Sequence, residues 1–131
     1  MLRKRIALPF GCFLALASTA FLAAQGQVWD FLGARQIDGT RDHDQIQITR
    51  HSGVFRAIQL RVSGDAIFFD RVVIHFADGT SEERPVRDRI WPEGRNHIID
   101  LNGERRVLES VELWYYKEPW GHRPTVTLYA S

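Results

Sequence analysis

Cysteine is almost absent from this chain: Cys12 is the single one among 131 residues, and it lies in the apolar N-terminal stretch. Whatever follows that stretch folds without a disulfide and works without a thiolate, so its stability has to come from packing. An excess of positive charge is missing as well. The 17 basic and 16 acidic residues become 14 and 16 once Arg3, Lys4 and Arg5 are set aside, a change from +1 to −2. That balance removes the basic footprint on which nucleic-acid binding depends. Among the 14, only Lys117 is lysine and the other 13 are arginine. Long apolar runs are confined to the first residues, and no segment after Val28 carries the 3.6-residue period of an amphipathic helix.

What is present at the N-terminus reads as an export signal. Arg3, Lys4 and Arg5 precede the apolar run from Ile6 to Ala17, and small residues continue through Ala23 and Ala24. Positive charge held on the inner side, a short apolar segment and small residues before a cleavage point make up the signal-peptide pattern. The expectation is a signal peptide over residues 1–24, a mature chain beginning at Gln25 or Gln27, and a periplasmic or secreted domain over residues 25–131. Two alternatives stay open. The segment from Ile6 to Ala24 approaches the roughly 18 apolar residues of a membrane anchor, so the membrane is a partner only through this segment, if uncleaved. Cys12 as a lipid-modified residue is the other alternative, although apolar residues continue past it.

About 105 residues remain, which suffices for one core and not for two. Apolar and polar residues alternate throughout them. Ile46 and Ile48, then Ile58, Leu60 and Val62, then Val72, Ile74 and Phe76, then Val111, Leu113 and Tyr115, then Val126 and Leu128 each sit at every second position. Such a period places these side chains on one face of a strand, with Arg61, Arg71 and Glu112 on the other, exposed. Further strands are expected over Trp29 to Ile37, Glu83 to Ile90 and His97 to Leu101. Between them stand Asp38-Gly39, Ser52-Gly53, Gly64-Asp65, Asp78-Gly79, Glu93-Gly94, Asn102-Gly103 and Trp120-Gly121, pairs that favour tight reversals. About eight strands at this spacing predict an all-β fold, a single-domain antiparallel β-sandwich of jelly-roll-like type. A closed barrel is the competitor. Unequal strand lengths and Pro85, which suits a strand at an open edge, favour the sandwich.

A faint repeat is also visible. Ile58-x-Leu60, Gly64 and Val72-x-Ile74-x-Phe76 match Ile99-x-Leu101, Gly103 and Val111-x-Leu113-x-Tyr115, each half reading as strand, turn, long strand. Two such units can pack face to face or lie within one sheet, and similarity between unrelated hairpins explains the match equally.

Several segments resemble a group of small exported bacterial proteins of unknown function. They are Trp29-Asp30-Phe31-Leu32-Gly33-Ala34-Arg35, the stretch from Asp42 to Ile48, Phe55 to Leu60, and Ile99-Asp100-Leu101-Asn102-Gly103-Glu104-Arg105-Arg106-Val107. The resemblance spans nearly all of the chain after the signal. It implies an all-β exported domain and brings no catalytic residues, so function has to be argued from chemistry.

Four constellations carry chemistry. Asp38-Gly39-Thr40-Arg41-Asp42-His43-Asp44 gathers enough oxygen for calcium, the one cofactor with any support, but it lacks a closing glutamate and holds Arg41; a solvated turn is the plainer reading. The histidines His43, His51, His75, His97 and His122 lack the spacing of a metal hydrolase, and His75, set between Ile74 and Phe76, is the one with context. Ser52, Ser63 and Ser81 stand at turns without a nucleophile elbow, and Glu82-Glu83 is explained by an exposed hairpin. Aromatics are the stronger signal. If Val111, Leu113 and Tyr115 face the core, Trp114 and Tyr116 face away from it, with Trp120 and His122 at the next turn. Such a strip stacks sugar rings or anchors a protein partner, unless the N-terminal segment with Trp29 and Phe31 covers it.

These observations favour an exported β-sandwich that binds without transforming. Its expected site is Trp114, Tyr116, Trp120 and His75, and its expected partner an envelope glycan or a protein. A small periplasmic hydrolase with an unrecognised carboxylate or histidine site, and a purely structural envelope protein, are the alternatives.

Overall fold

A computed structural model describes residues 28–131 except 38, 40–41, 49–52, 95 and 104–105. The expected signal peptide and its cleavage point lie outside the described residues. Eight strands follow one another: β1 (Asp30–Gln36), β2 (His43–Gln47), β3 (Ala57–Ser63), β4 (Ile67–Phe76), β5 (Ser81–Ile90), β6 (His97–Asp100), β7 (Leu108–Tyr115) and β8 (Thr125–Ala130). They form two four-stranded sheets, ordered β1-β8-β3-β6 and β2-β7-β4-β5, and the pairings are antiparallel. This is the strand order of a jelly roll, an open sandwich and not a closed barrel. Pro85 lies on β5, an edge strand, the position in a sheet where a proline is tolerated.

The order corrects the expectation of tight reversals. Only Asp78-Gly79 joins two strands of the same sheet; each other connection carries the chain from one sheet to the other. Glycine serves a bend over the sandwich rim as well as a hairpin, so turn chemistry alone does not tell the two apart. At the true hairpin Gly79 has φ 90°, and the Asp78 carboxylate accepts the Thr80 N–H at 3.0 Å and its hydroxyl at 2.6 Å.

The repeated units are likewise not hairpins. β3 and β6 pair in the first sheet, with Ile58 opposite Ile99, while β4 and β7 pair in the second. Val72 faces Leu113 and Ile74 faces Val111, so matching residues of the two units exchange places as a two-fold relation requires.

The core follows from the alternation. Ile58, Leu60, Val72, Ile74, Phe76, Val111, Leu113 and Val126 are buried, as their spacing predicts, and each contributes roughly 1.5–3 kcal/mol by leaving water. Ile67 and Phe69 join them on what simple alternation makes the wrong parity. A bulge is the reason: Phe69 pairs with Tyr115 and Arg71 with Trp114, leaving Asp70 as an extra residue on β4. On the β5 side the register jumps from Phe69 opposite Asp88 to Arg71 opposite Pro85, and Arg87 takes φ 46°, a conformation non-glycine residues seldom adopt.

Arg61, Arg71 and Glu112 are half-buried, against the expected exposure. Cross-strand neighbours cover them. Arg61 lies 3.9 Å over the Tyr129 ring and Arg71 4.4 Å over that of Trp114.

At the β1 and β2 edges the sheets close on each other. Gly33 faces Ile46 so tightly that a Cβ would stand 2.9 Å from its Cγ2. Asp44 points inward from β2, 4% exposed, where it accepts the Tyr115 hydroxyl at 2.8 Å and pairs with Arg35 at 3.3 Å. A buried carboxylate needs such partners.

Candidate binding face

The outer face of the second sheet is a ladder of rows that run across its strands. In one row His43, Trp114 and Arg71 stand on β2, β7 and β4 in register. The imidazole and indole rings stack at 4.3 Å and 15°, and the Arg71 guanidinium lies over the indole from the other neighbour. Because β7 runs between β2 and β4, the two groups take opposite faces of Trp114. Its flat surfaces are therefore occupied. Arg71 is further held by Asp70 at 2.5 Å and Glu83 at 3.3 Å, and His43 by Asp42 at 3.1 Å.

Below that row the Trp114 N–H donates to Glu112 at 3.2 Å, and His75 meets the other oxygen of the same carboxylate at 2.9 Å. The bond with His75 is the main cause that holds the Glu112 carboxyl below its ordinary 4.5; the Trp114 bond and the charges of His75 and His43 add to it, against the upward push of burial. Ser110 lies opposite His75, and its hydroxyl accepts the Gln45 amide at 2.9 Å.

Above it, Tyr116 extends β7 and donates its N–H to the Phe68 carbonyl at 3.0 Å, the two rings 5.4 Å apart. Phe68 pairs with Arg89 on β5, whose guanidinium lies 5.7 Å from the Phe68 ring and 5.8 Å from that of Trp91. Glu118 grips Arg89 with both oxygens, at 2.8 and 2.7 Å. Tyr116 is 55% exposed and Trp91 61%.

Two adjoining hollows open beside the Asp70 bulge. One, of 290 Å³, lies among Asp42, Asp70, Arg71, Trp114, Tyr116 and Lys117; the other, of 320 Å³, among Asp70, Arg71, Glu83, Pro85 and Arg87. Both are walled by the residue pair that the bulge sets side by side.

Of the four residues expected at the site, Trp114 and Tyr116 share this face and border one hollow. His75 connects to Trp114 through Glu112. Trp120 does not join them: its N–H donates to the Ala66 carbonyl at 2.9 Å, and its ring packs 6.1 Å from Tyr115 against the core. The chain after Tyr116 leaves the sheet and folds over the end of the sandwich, where the Gly121 N–H donates to the Asp65 carboxylate at 3.0 Å. The expected three-residue strip is thus two residues, and Trp114 offers an edge and not a platform.

Asp70, Arg71, Phe68, Arg89 and Trp91 were not legible as site residues, although an exposed tryptophan directly before the Pro92-Glu93-Gly94 turn is a usable signal. Phe31 does not cover the face; it lies on the first sheet, 5.9 Å from Tyr129. In the polar loop Asp38, Thr40 and Arg41 are outside the described residues. Asp42 is engaged with His43, and Asp44 is turned into the core and so lost as a loop ligand. Among the described residues no group of three His, Cys, Asp or Glu side chains is placed to hold a metal ion.

Two antiparallel sheets in jelly-roll order, one with a polar and aromatic outer face, define an all-β sandwich protein. The chain belongs to the family described as a domain of unknown function, DUF2541, whose model matches residues 10–130. It is similar in structure to Pseudomonas aeruginosa AlgX, at 11% identity and a TM-score of 0.47, over 82% of this chain and 27% of that one. A mutant of the family 29 carbohydrate-binding module CBM29-2 is similar at 12% identity and a TM-score of 0.37, over 80% of this chain and 92% of that one. Neither likeness bears on the site. A search of the curated proteins found no match.

Proposed function

We propose that this protein is a non-catalytic binding module that works outside the cytoplasm and takes a glycan on the outer face of the second sheet. The observation that carries the reading is the 290 Å³ hollow, which sets the open ring of Tyr116 beside Asp42, Asp70, Arg71 and Lys117. Sugar hydroxyls donate and accept at once, and a carboxylate with a cation beside it answers both roles. Their C–H faces pack on an exposed aromatic ring. A protein partner is less well matched at this hollow, because interface anchors are large apolar groups seated in desolvated pockets, and the Trp114 indole that borders it has both faces taken. Binding without catalysis is the reading taken for this face, where His75 is paired with Glu112 and the Ser110 hydroxyl accepts the Gln45 amide.

Calorimetry against soluble oligosaccharides tests the reading: Tyr116→Ala weakens binding about tenfold while the protein stays folded. Equal affinity of the variant and the parent overturns it. For the compartment, the intact mass of exported material is that of a chain starting at Gln25 or Gln27. A mass that includes Met1 to Ala24, recovered with membranes, replaces export by anchoring.

A further inference from the structure

We infer that the ligand is a polymer bound along its length, which crosses β7, β4 and β5 from Tyr116 to Trp91, and not a single sugar or a chain end. The inference rests on the glycan reading above and adds a second aromatic contact to it. Tyr116, Phe68 and Arg89 form one row on three neighbouring strands. Adjacent strands lie about 4.8 Å apart, so Tyr116 and Arg89 are separated by about 10 Å; Trp91, two residues farther along, brings the span to roughly 12 Å. One pyranose ring cannot touch both ends of that span.

The middle of the row is furnished for a chain that passes over it. Phe68 is half-buried and makes the floor, and Arg89 stands between the two exposed rings with its guanidinium fixed by both Glu118 oxygens. A guanidinium held flat in this way presents its remaining N–H edge with little ordering left to do on binding. Trp91 is itself positioned, because the Gly94 N–H donates to its carbonyl at 3.1 Å and Glu93 closes the turn at φ 60°. Single exposed aromatics need no explanation. Two of them at the ends of one continuous row, with a clamped cation between, make a track.

Titration of β-1,4-linked glucose, xylose and N-acetylglucosamine oligomers of one to six units tests this. Parent protein is expected to bind the longer members of one series at least tenfold more tightly than the disaccharide. Trp91→Ala removes that gain, Trp91→Phe keeps most of it, and Tyr116→Ala weakens every length. The inference is overturned, with the binding module intact, if Trp91→Ala matches the parent at each length while Tyr116→Ala still weakens binding. Absence of binding by the parent across all three series overturns the glycan reading and the track together. Trp91 is exposed, so its variants report on binding without loss of the fold.

Discussion

The outer faces of the two sheets use the same device to different effect. On the first, Arg61 stacks on Tyr129 and bonds to Gln59 at 2.6 Å; on the second, Arg71 stacks on Trp114 and bonds to Asp70. What separates them is the strand that carries the arginine, since the first sheet's own register break lies on edge strand β1, between Phe31 and Gly33. β3 and β8 keep one register from Ile58 opposite Ala130 to Ser63 opposite Thr125, whereas β4 breaks register at Asp70 against both neighbours. An unbroken pair presents evenly spaced rows, and a bulge bends the strand and parts the rows on either side. The arginine–aromatic stack is therefore a means of covering a sheet face, and the interruption beside it is what makes a recess.

Removal of the interruption is the most severe way to break that contrast. Deletion of Asp70 takes out the extra residue and brings β4 into unbroken register with β7 while Ile67 and Phe69 keep their inward parity, so the domain is expected to stay folded in urea titration and to lose oligosaccharide affinity about tenfold as the recess closes; unchanged affinity would show that the bulge does not make the recess. Core truncation should ignore the difference between the sheets. Leu60→Ala on the first and Leu113→Ala on the second are each expected to cost about 2–5 kcal/mol, and a large asymmetry would show that one sheet carries the core. Trp120→Ala sharpens the boundary of the binding face. Half-buried against the core, it should cost about 2–3 kcal/mol in stability and leave glycan affinity unchanged; the opposite pattern would return Trp120 to the face.

The smallest effect is in pH dependence. The Glu112 carboxyl titrates below its ordinary 4.5 in the folded chain, so the stability it adds is fully present above that value and is lost as pH falls through its lowered folded value. Glu112→Gln should flatten that part of the acid limb of stability against pH. An unaltered limb would show that the His75 and Trp114 bonds do not favour the ionised form.

The strands were legible because alternation is a local property, and Val72, Ile74 and Phe76 announce their face without reference to any partner. The Ile67 and Phe69 half of β4 was hidden, since a bulge is defined by the strand opposite. Trp114 shows the same limit from the functional side. Its parity away from the core is readable, but the groups that cover its two faces, His43 and Arg71, are its neighbours only through pairing. The glycine turns misled for a related reason: the same residues make a hairpin or a crossing, and the choice lies in which sheet the next strand joins.

The order of the first sheet, β1-β8-β3-β6, also sets a timetable. β8 is the last strand made, and it bridges the first to the third, with Asp30 opposite Ala130 and Ser63 opposite Thr125. Until residues 125–130 have emerged, β1 has no partner and the core stays open on one side. Only the β4–β5 hairpin can close on its own, so most native pairing waits for ends distant along the chain, the arrangement that folds slowly. Such a chain becomes a domain only once residues 125–130 can reach both β1 and β3.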